Sequence, residues 1–247
     1  MRSNNLQFEN LKAKLSSVRR SAWKPIVREG DGDLTASKFS GKPWLSAGET
    51  WPICPNCQKP MQLFLQLNLD QLPKSLKEKF GNGILQMFYC TSTEPYCEGD
   101  CDAGESAKIK LLRIVQPEAK SAKIEIPEIE NLFPAKLIIR WEEIGDSPSW
   151  EDVESFFGIT PNEENLDILD NYFGWRPEPG DKLAGWPDWI QGSSYPNCPT
   201  CNQTMTQFIF QLDSEDNITY MWGDAGRGYL VQCPEHKEKL AFFWQCH

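Results

Sequence analysis

The tetrapeptide Cys54-Pro55-Asn56-Cys57 returns 144 residues later as Cys198-Pro199-Thr200-Cys201, and nothing else in the chain limits the fold as tightly. Two cysteines separated by two residues at a tight turn point both thiolates at one tetrahedral ion, usually Zn²⁺. The flanks repeat too, at Lys38/Lys182, Gly41/Gly185, Pro43/Pro187, Pro52/Pro196, Met61/Met205 and Phe64/Phe208. With the Cys-Pro-x-Cys residues this makes nine identities in 27 ungapped positions, where chance gives roughly two, and self-similarity at a fixed offset indicates duplicated structure.

Each pair needs two more ligands to close a tetrahedron. For the second pair, Cys233 and His236 supply a Cys-x₂-His at the end of a strand, with Cys246 and His247 as substitutes near a less well anchored terminus. For the first, five thiols compete for four places: Cys54, Cys57, Cys97 and Cys101 are the expected set, and Cys90 is the alternative third ligand by analogy with Cys233. Closed sites of this kind supply folding energy and leave no open position for substrate, so two structural zinc ions are expected.

Formal charge and cysteine usage narrow the function classes. The net charge is -10, and a filled Cys₄ and Cys₃His pair would take it to -13, which opposes attachment to nucleic acid or an anionic membrane. No run of 18 apolar residues is present, and the polar start lacks the apolar core of a secretory signal. An odd count of nine cysteines at metal-ligand spacing suits a reducing compartment, so a cytoplasmic location is expected.

Hydrophobic spacing predicts an α+β protein of mostly antiparallel strands with few short helices. An N-terminal arm occupies 1–36, with an amphipathic helix over 6–20; the first copy runs over 37–145, a helical connection over 146–180 and the second copy over 181–247. In the first copy, strands are expected from Met61 to Asn68, Ile84 to Cys90, Ile109 to Val115, Lys123 to Ile126 and Ala135 to Ile144, with a short helix from Asp70 to Phe80. Ser149 caps a helix ending at Phe157, and Thr160-Pro161-Asn162-Glu163 opens another. The second copy contributes strands over Met205 to Leu212, Tyr229 to Cys233 and Leu240 to Cys246.

Outside the cysteines, chemistry could reside in Asp213, Asp216, Asp224 and Arg227, the last within the glycine-rich Gly223 to Gly228. Trp44, Trp51, Trp186, Trp189 and Trp222 stand near turns, where they would either form core or line a groove. Two readings follow: a zinc-stabilised scaffold that binds a protein or small molecule through a tryptophan-lined groove between the copies, with Trp222, Asp224, Arg227 and Asp213 as candidate ligand contacts, or an enzyme using Asp213, Asp216, Asp224 and Arg227 in that same acidic groove. With histidines only at 236 and 247, no Ser-His-Asp triad forms.

Taken together, Ser37-Lys38-Phe39-x-Gly41-Lys42-Pro43-Trp44-Leu45 with Trp51-Pro52, Gly83 to Phe88, Gly185-Trp186-Pro187-Asp188-Trp189-Ile190-Gln191, Gln211-Leu212-Asp213 and Trp222-Gly223-Asp224-x-Gly226 resemble the YwqG-like family of bacterial proteins of unknown function. The resemblance spans most of the chain from about residue 37. It implies an α+β fold rich in antiparallel strands with an internal repeat and brings no substrate; the Cys-Pro-x-Cys turns mark a subgroup.

Overall fold

A computed structural model describes residues 13–97, 108–117, 120–123, 125–159 and 176–247. Among the described residues ten strands form one sheet: β1 (Arg20–Glu29), β2 (Lys38–Phe39), β3 (Gln62–Asn68), β4 (Ile84–Tyr89), β5 (Lys110–Val115), β6 (Lys136–Asp146), β7 (Lys182–Ala184), β8 (Gln207–Asp213), β9 (Arg227–Gln232) and β10 (Leu240–Gln245). Their order is β10-β9-β8-β7-β1-β6-β2-β3-β4-β5, and every neighbouring pair is antiparallel. The sheet curls into a nearly closed barrel, so that its two edges approach and Lys110 Nζ donates to the Phe242 carbonyl across the gap.

The long pair β1–β6 is the midline, running in register from Arg20↔Asp146 to Glu29↔Lys136 around one bulge. The N-terminal helix was expected to run to Arg20, and no strand was expected after it. The residues from Arg20 form a strand instead, and the helix, α1, stops at residue 18, with 13–18 as its described part. Pro25 interrupts the run, but it lies past Trp23, the last residue paired with β7, where a missing N–H breaks no ladder on that side. Leu15 of α1 is buried against Val153 of α2 (Trp150–Phe157), so the described part of the arm is packed on the body.

The Ser149 cap is as expected: its hydroxyl accepts from the Asp152 N–H at 3.2 Å, and Gly158 ends the helix with φ 62°. Two other expectations are corrected. Asp70 to Phe80 contains two 3₁₀ turns, Leu69–Gln71 and Lys74–Leu76, and no α-helix. Instead of closing a helical ladder, the carbonyls of Glu78, Lys79 and Phe80 accept hydrogen bonds from Lys237, Gln207 and Gln232 of the other half. The described residues of Lys123 to Ile126 form no strand; only Ser121 bridges, to Ser46. The expected Thr160 helix lies outside the described residues.

β3 and β4 are buried at every position, as their mostly apolar runs predict for strands covered on both faces, and Gln62, Gln66, Asn68 and Gln86 are buried with them. The main core joins both halves, with Phe39, Phe64, Leu67, Phe88, Phe210, Leu212, Trp222 and Phe242 in one cluster. A second cluster of Met205, Phe208, Tyr229, Val231 and Phe243 covers the other face of β8–β10.

Contacts recur between the halves at or within one residue of the offset seen in the sequence, except that the aspartates Asp31 and Asp146 stand 115 residues apart. Gln66 accepts from the Trp44 N–H and donates to the carbonyls of Leu34 and Ala36. Gln211 accepts from the Asp188 N–H and donates to the carbonyls of Glu178 and Gly180. Lys38 pairs with Asp31, whose carboxylate also accepts from the Lys42 N–H; Lys182 pairs with Asp146, which likewise accepts from Trp186 N–H. Gly41 and Gly185, at φ 82° and 80°, sit against those carboxylates, where a Cβ would overlap an oxygen.

Candidate metal centres

The turn that presents each cysteine pair is built the same way twice. The Cys54 N–H donates to the Lys59 carbonyl and the Gln58 N–H to the Cys54 carbonyl, each at 2.8 Å; Cys198, Gln203 and Asn202 repeat both bonds at 2.8 Å. Gln58 and Asn202 hold φ of 62° and 58°, which reverses the chain directly after the second cysteine. Met61 and Met205 then donate to Pro52 and Pro196 and start the strand. The returning strand ends in the third ligand, Cys90 after β4 and Cys233 after β9.

Two groups of four ligand atoms result: Cys54, Cys57, Cys90 and Cys97, and Cys198, Cys201, Cys233 and His236, each with all atoms within 4.8 Å of one another. Cys57 and Cys90 sulfurs are 3.5 Å apart and Cys201 and Cys233 sulfurs 3.6 Å. A disulfide needs about 2.05 Å, whereas the sulfurs of a tetrahedron with Zn–S near 2.3 Å are separated by about 3.8 Å. The described cysteines are all free thiols. His236 Nδ1 lies 3.7 Å from Cys233 Sγ.

Hydrogen-bond donors point at two of the sulfurs. Asn56 Nδ2 donates to Cys97 Sγ at 3.2 Å and the His236 N–H to Cys233 Sγ at 3.3 Å. At Cys57 burial opposes ionisation, but the Lys59 N–H and the neighbouring thiols outweigh it and pull the group down to about 7. At Cys198 the N–H groups of Cys201 and Thr200 and the adjoining thiols likewise overcome burial and pull it to about 6. Burial pushes Cys90 up, so one cluster holds both an easily ionised and a resistant thiol. A bound cation would shift all of them toward thiolate.

Of the five thiols expected to compete at the first centre, four converge, with Cys90 among them; Cys101 lies outside the described residues. Cys246 stands apart against Gly223, and the His247 N–H donates to the Asp224 carbonyl. The other candidate residues do not converge on an open groove. Trp44, Trp51, Trp186 and Trp222 are buried in the core, while Trp189 is half-buried against Tyr195, Tyr229 and Phe243 and donates to Asp152. Arg227 is clamped between Asp213 at 2.8 Å and Asp188 at 2.7 Å, and Asp224 is exposed.

Asp213 and Asp216 serve a turn lock that sequence reasoning missed. Their carboxylates accept the Gly180 and Asp181 N–H groups, and buried Asp181 accepts from Asp213 N–H and from Asn217. Burial, reinforced by repulsion from Asp216, pushes the Asp181 carboxyl up to about 8. An unfolded aspartate titrates near about 4, so Asp181 binds its proton more tightly in the folded state; its contribution is full below about 4 and is lost as pH rises toward 8. The wild type therefore loses stability relative to Asp181→Asn by about 1.4 kcal/mol per pH unit between pH 5 and 8. Parallel urea titrations of the two proteins across that range check this, and curves that keep a constant separation would refute it.

In comparisons with known proteins, an uncharacterized protein named YpfL from Salmonella typhimurium strain LT2 is 50% identical over 58 residues, which is 24% of this chain and 13% of that protein's length. Residues 37–245 match a family described as a domain of unknown function, DUF1963. That match takes in both cysteine turns, β2 to β10 and all eight converging ligands, and on it the chain belongs to the DUF1963 family.

Proposed function

We propose that the chain is a zinc-stabilised binding or scaffold module of the reducing cytoplasm, with one Cys₄ and one Cys₃His structural ion. The observation that carries this reading is the double convergence of four protein ligands within 4.8 Å, with no fewer than four at either place. Sulfur-rich tetrahedral sets favour zinc or iron over hard cations, and a full protein set points to structure over catalysis. The free thiols in disulfide-competent numbers fit a reducing compartment.

We infer further that the two centres descend from an internal duplication, in keeping with the YwqG-like pattern of the sequence. The support is the recurrence of turn bonds, buried glutamines, the lysines of the two lysine–aspartate pairs and left-handed glycines about 144 positions apart. The enzyme reading has no such support, because its tryptophans are core and its arginine is already paired.

Elemental analysis of the purified, untagged protein tests the metal assignment. About two zinc ions per chain are expected for two closed sites. One ion or none, or iron in their place, would overturn it.

A further inference from the structure

A cavity of about 410 Å³ lies beside the first metal centre, within the size range of small-molecule sites. Its walls come from three places: Lys59 and Pro60, which follow Cys57; Thr91 and Ser92, which follow Cys90; and Glu128, Ile129 and Glu130 on the strap leading to β6. Gln62 fixes the strap to the strand beside the centre, donating to Thr91 Oγ1 at 3.0 Å and to the Asn131 carbonyl at 3.3 Å, and accepting from the Phe133 N–H at 3.0 Å. Two of its three walls thus belong to the short segments that also hold the cysteines.

Its chemistry is specific in sign. Lys59, Glu128 and Glu130 form no ion pair among the described residues, although they share one cavity. Buried Ser92 Oγ has no hydrogen-bond partner there either, and a buried hydroxyl without one is unusual. Thr91 Oγ1 accepts from Gln62, which leaves its own proton free to donate. Pro60 and Ile129 add apolar surface.

We propose that this cavity binds a basic amino acid, whose carboxylate meets Lys59 and whose two cationic nitrogens meet Glu128 and Glu130, with the aliphatic stem against Pro60 and Ile129. One ammonium and two exposed carboxylates lining the same cavity are the charge inverse of a ligand with one carboxylate and two cations. The proposal goes beyond the structural-zinc reading and assigns the module a ligand.

Calorimetric titration of the metal-loaded full chain with L-lysine and L-ornithine tests it, with cadaverine, 6-aminohexanoate and L-glutamate as comparators. Saturable binding of L-lysine or L-ornithine is expected, with cadaverine and 6-aminohexanoate about tenfold or more weaker because each lacks one charge, and L-glutamate weakest. Glu128→Gln/Glu130→Gln and, separately, Lys59→Met each weaken L-lysine binding about tenfold, while their melting temperatures stay at the wild-type value. No saturable heat from either diamino acid up to about 10 mM, equal binding of L-glutamate, or unchanged affinity in both variants would overturn it. Zinc counted on the same samples reports separately on the metal assignment.

Discussion

Replacing Cys198 with serine is expected to remove one of the two zinc ions proposed above and to lower the melting temperature by on the order of 10 °C or more. Serine nearly preserves the volume of this buried side chain but supplies no thiolate, so the loss is that of a metal bond and not of packing. Structural zinc contributes its binding free energy to folding, and a chain of this length loses about 2–4 °C for each kcal/mol. The same result is expected for Cys90→Ser at the other centre, whereas Cys101→Ser and Cys246→Ser should keep both ions. A strong chelator given to the wild type should reproduce both losses together. A Cys198→Ser protein that retains two zinc ions, or that melts with the wild type, would sink the assignment of four ligands to that centre.

Lys182→Met is expected to cost about 3–5 kcal/mol, and clearly more than Lys38→Met. Lys182 and Asp146 are both fully buried, 3.0 Å apart. Burial holds the lysine below its ordinary value, with Asp146 opposing that shift. Removing the lysine leaves an uncompensated carboxylate in the interior, still accepting from Trp186 and Glu178 N–H groups. At the equivalent pair, Lys38 is buried but Asp31 keeps 31% of its side-chain surface, so water can take over part of the lost partner's role. The double variant Lys182→Met/Asp146→Asn should recover part of the loss, because the stranded charge is gone and one acceptor remains. Urea unfolding of the four proteins measures this, and equal costs for Lys182→Met and Lys38→Met would remove burial of the aspartate as the cause.

The apolar strands and both cysteine turns were legible because their information is local. Seven or six consecutive buried positions in β3 and β4 need no distant partner to be recognised, and neither does a Cys-Pro-x-Cys reversal. β1 was hidden, since Lys24, Pro25 and Arg28 spoil its alternation and its structure depends on β6, more than a hundred residues away. The 69–81 segment misled for a related reason: its carbonyls are claimed by Gln207, Gln232 and Lys237, none of them near in sequence. A usable signal was overlooked at Gln62 and Gln66 against Gln207 and Gln211, polar residues at matching places in two mostly apolar strands. All four are hydrogen-bonded through their side-chain amides. Asp31 and Asp146 could not be matched to their lysines from spacing, because each arrives from the end of a different strand of the midline pair.

The strand order carries a consequence for how the chain is made. β1 is synthesised first, yet one of its two neighbours is β7, and the Glu78 to Phe80 carbonyls wait for donors from the last fifth of the chain. While the ribosome is still adding the second half, β1 and β5 therefore present unsatisfied edges, the kind of surface that pairs with other chains. The cysteines of the first turn, in contrast, come together within about forty residues of each other and can take their ion early. If the first centre takes zinc as proposed, the ion would hold β3 and β4 as a hairpin through that interval, and metal supply during growth would then govern how much of the product escapes aggregation.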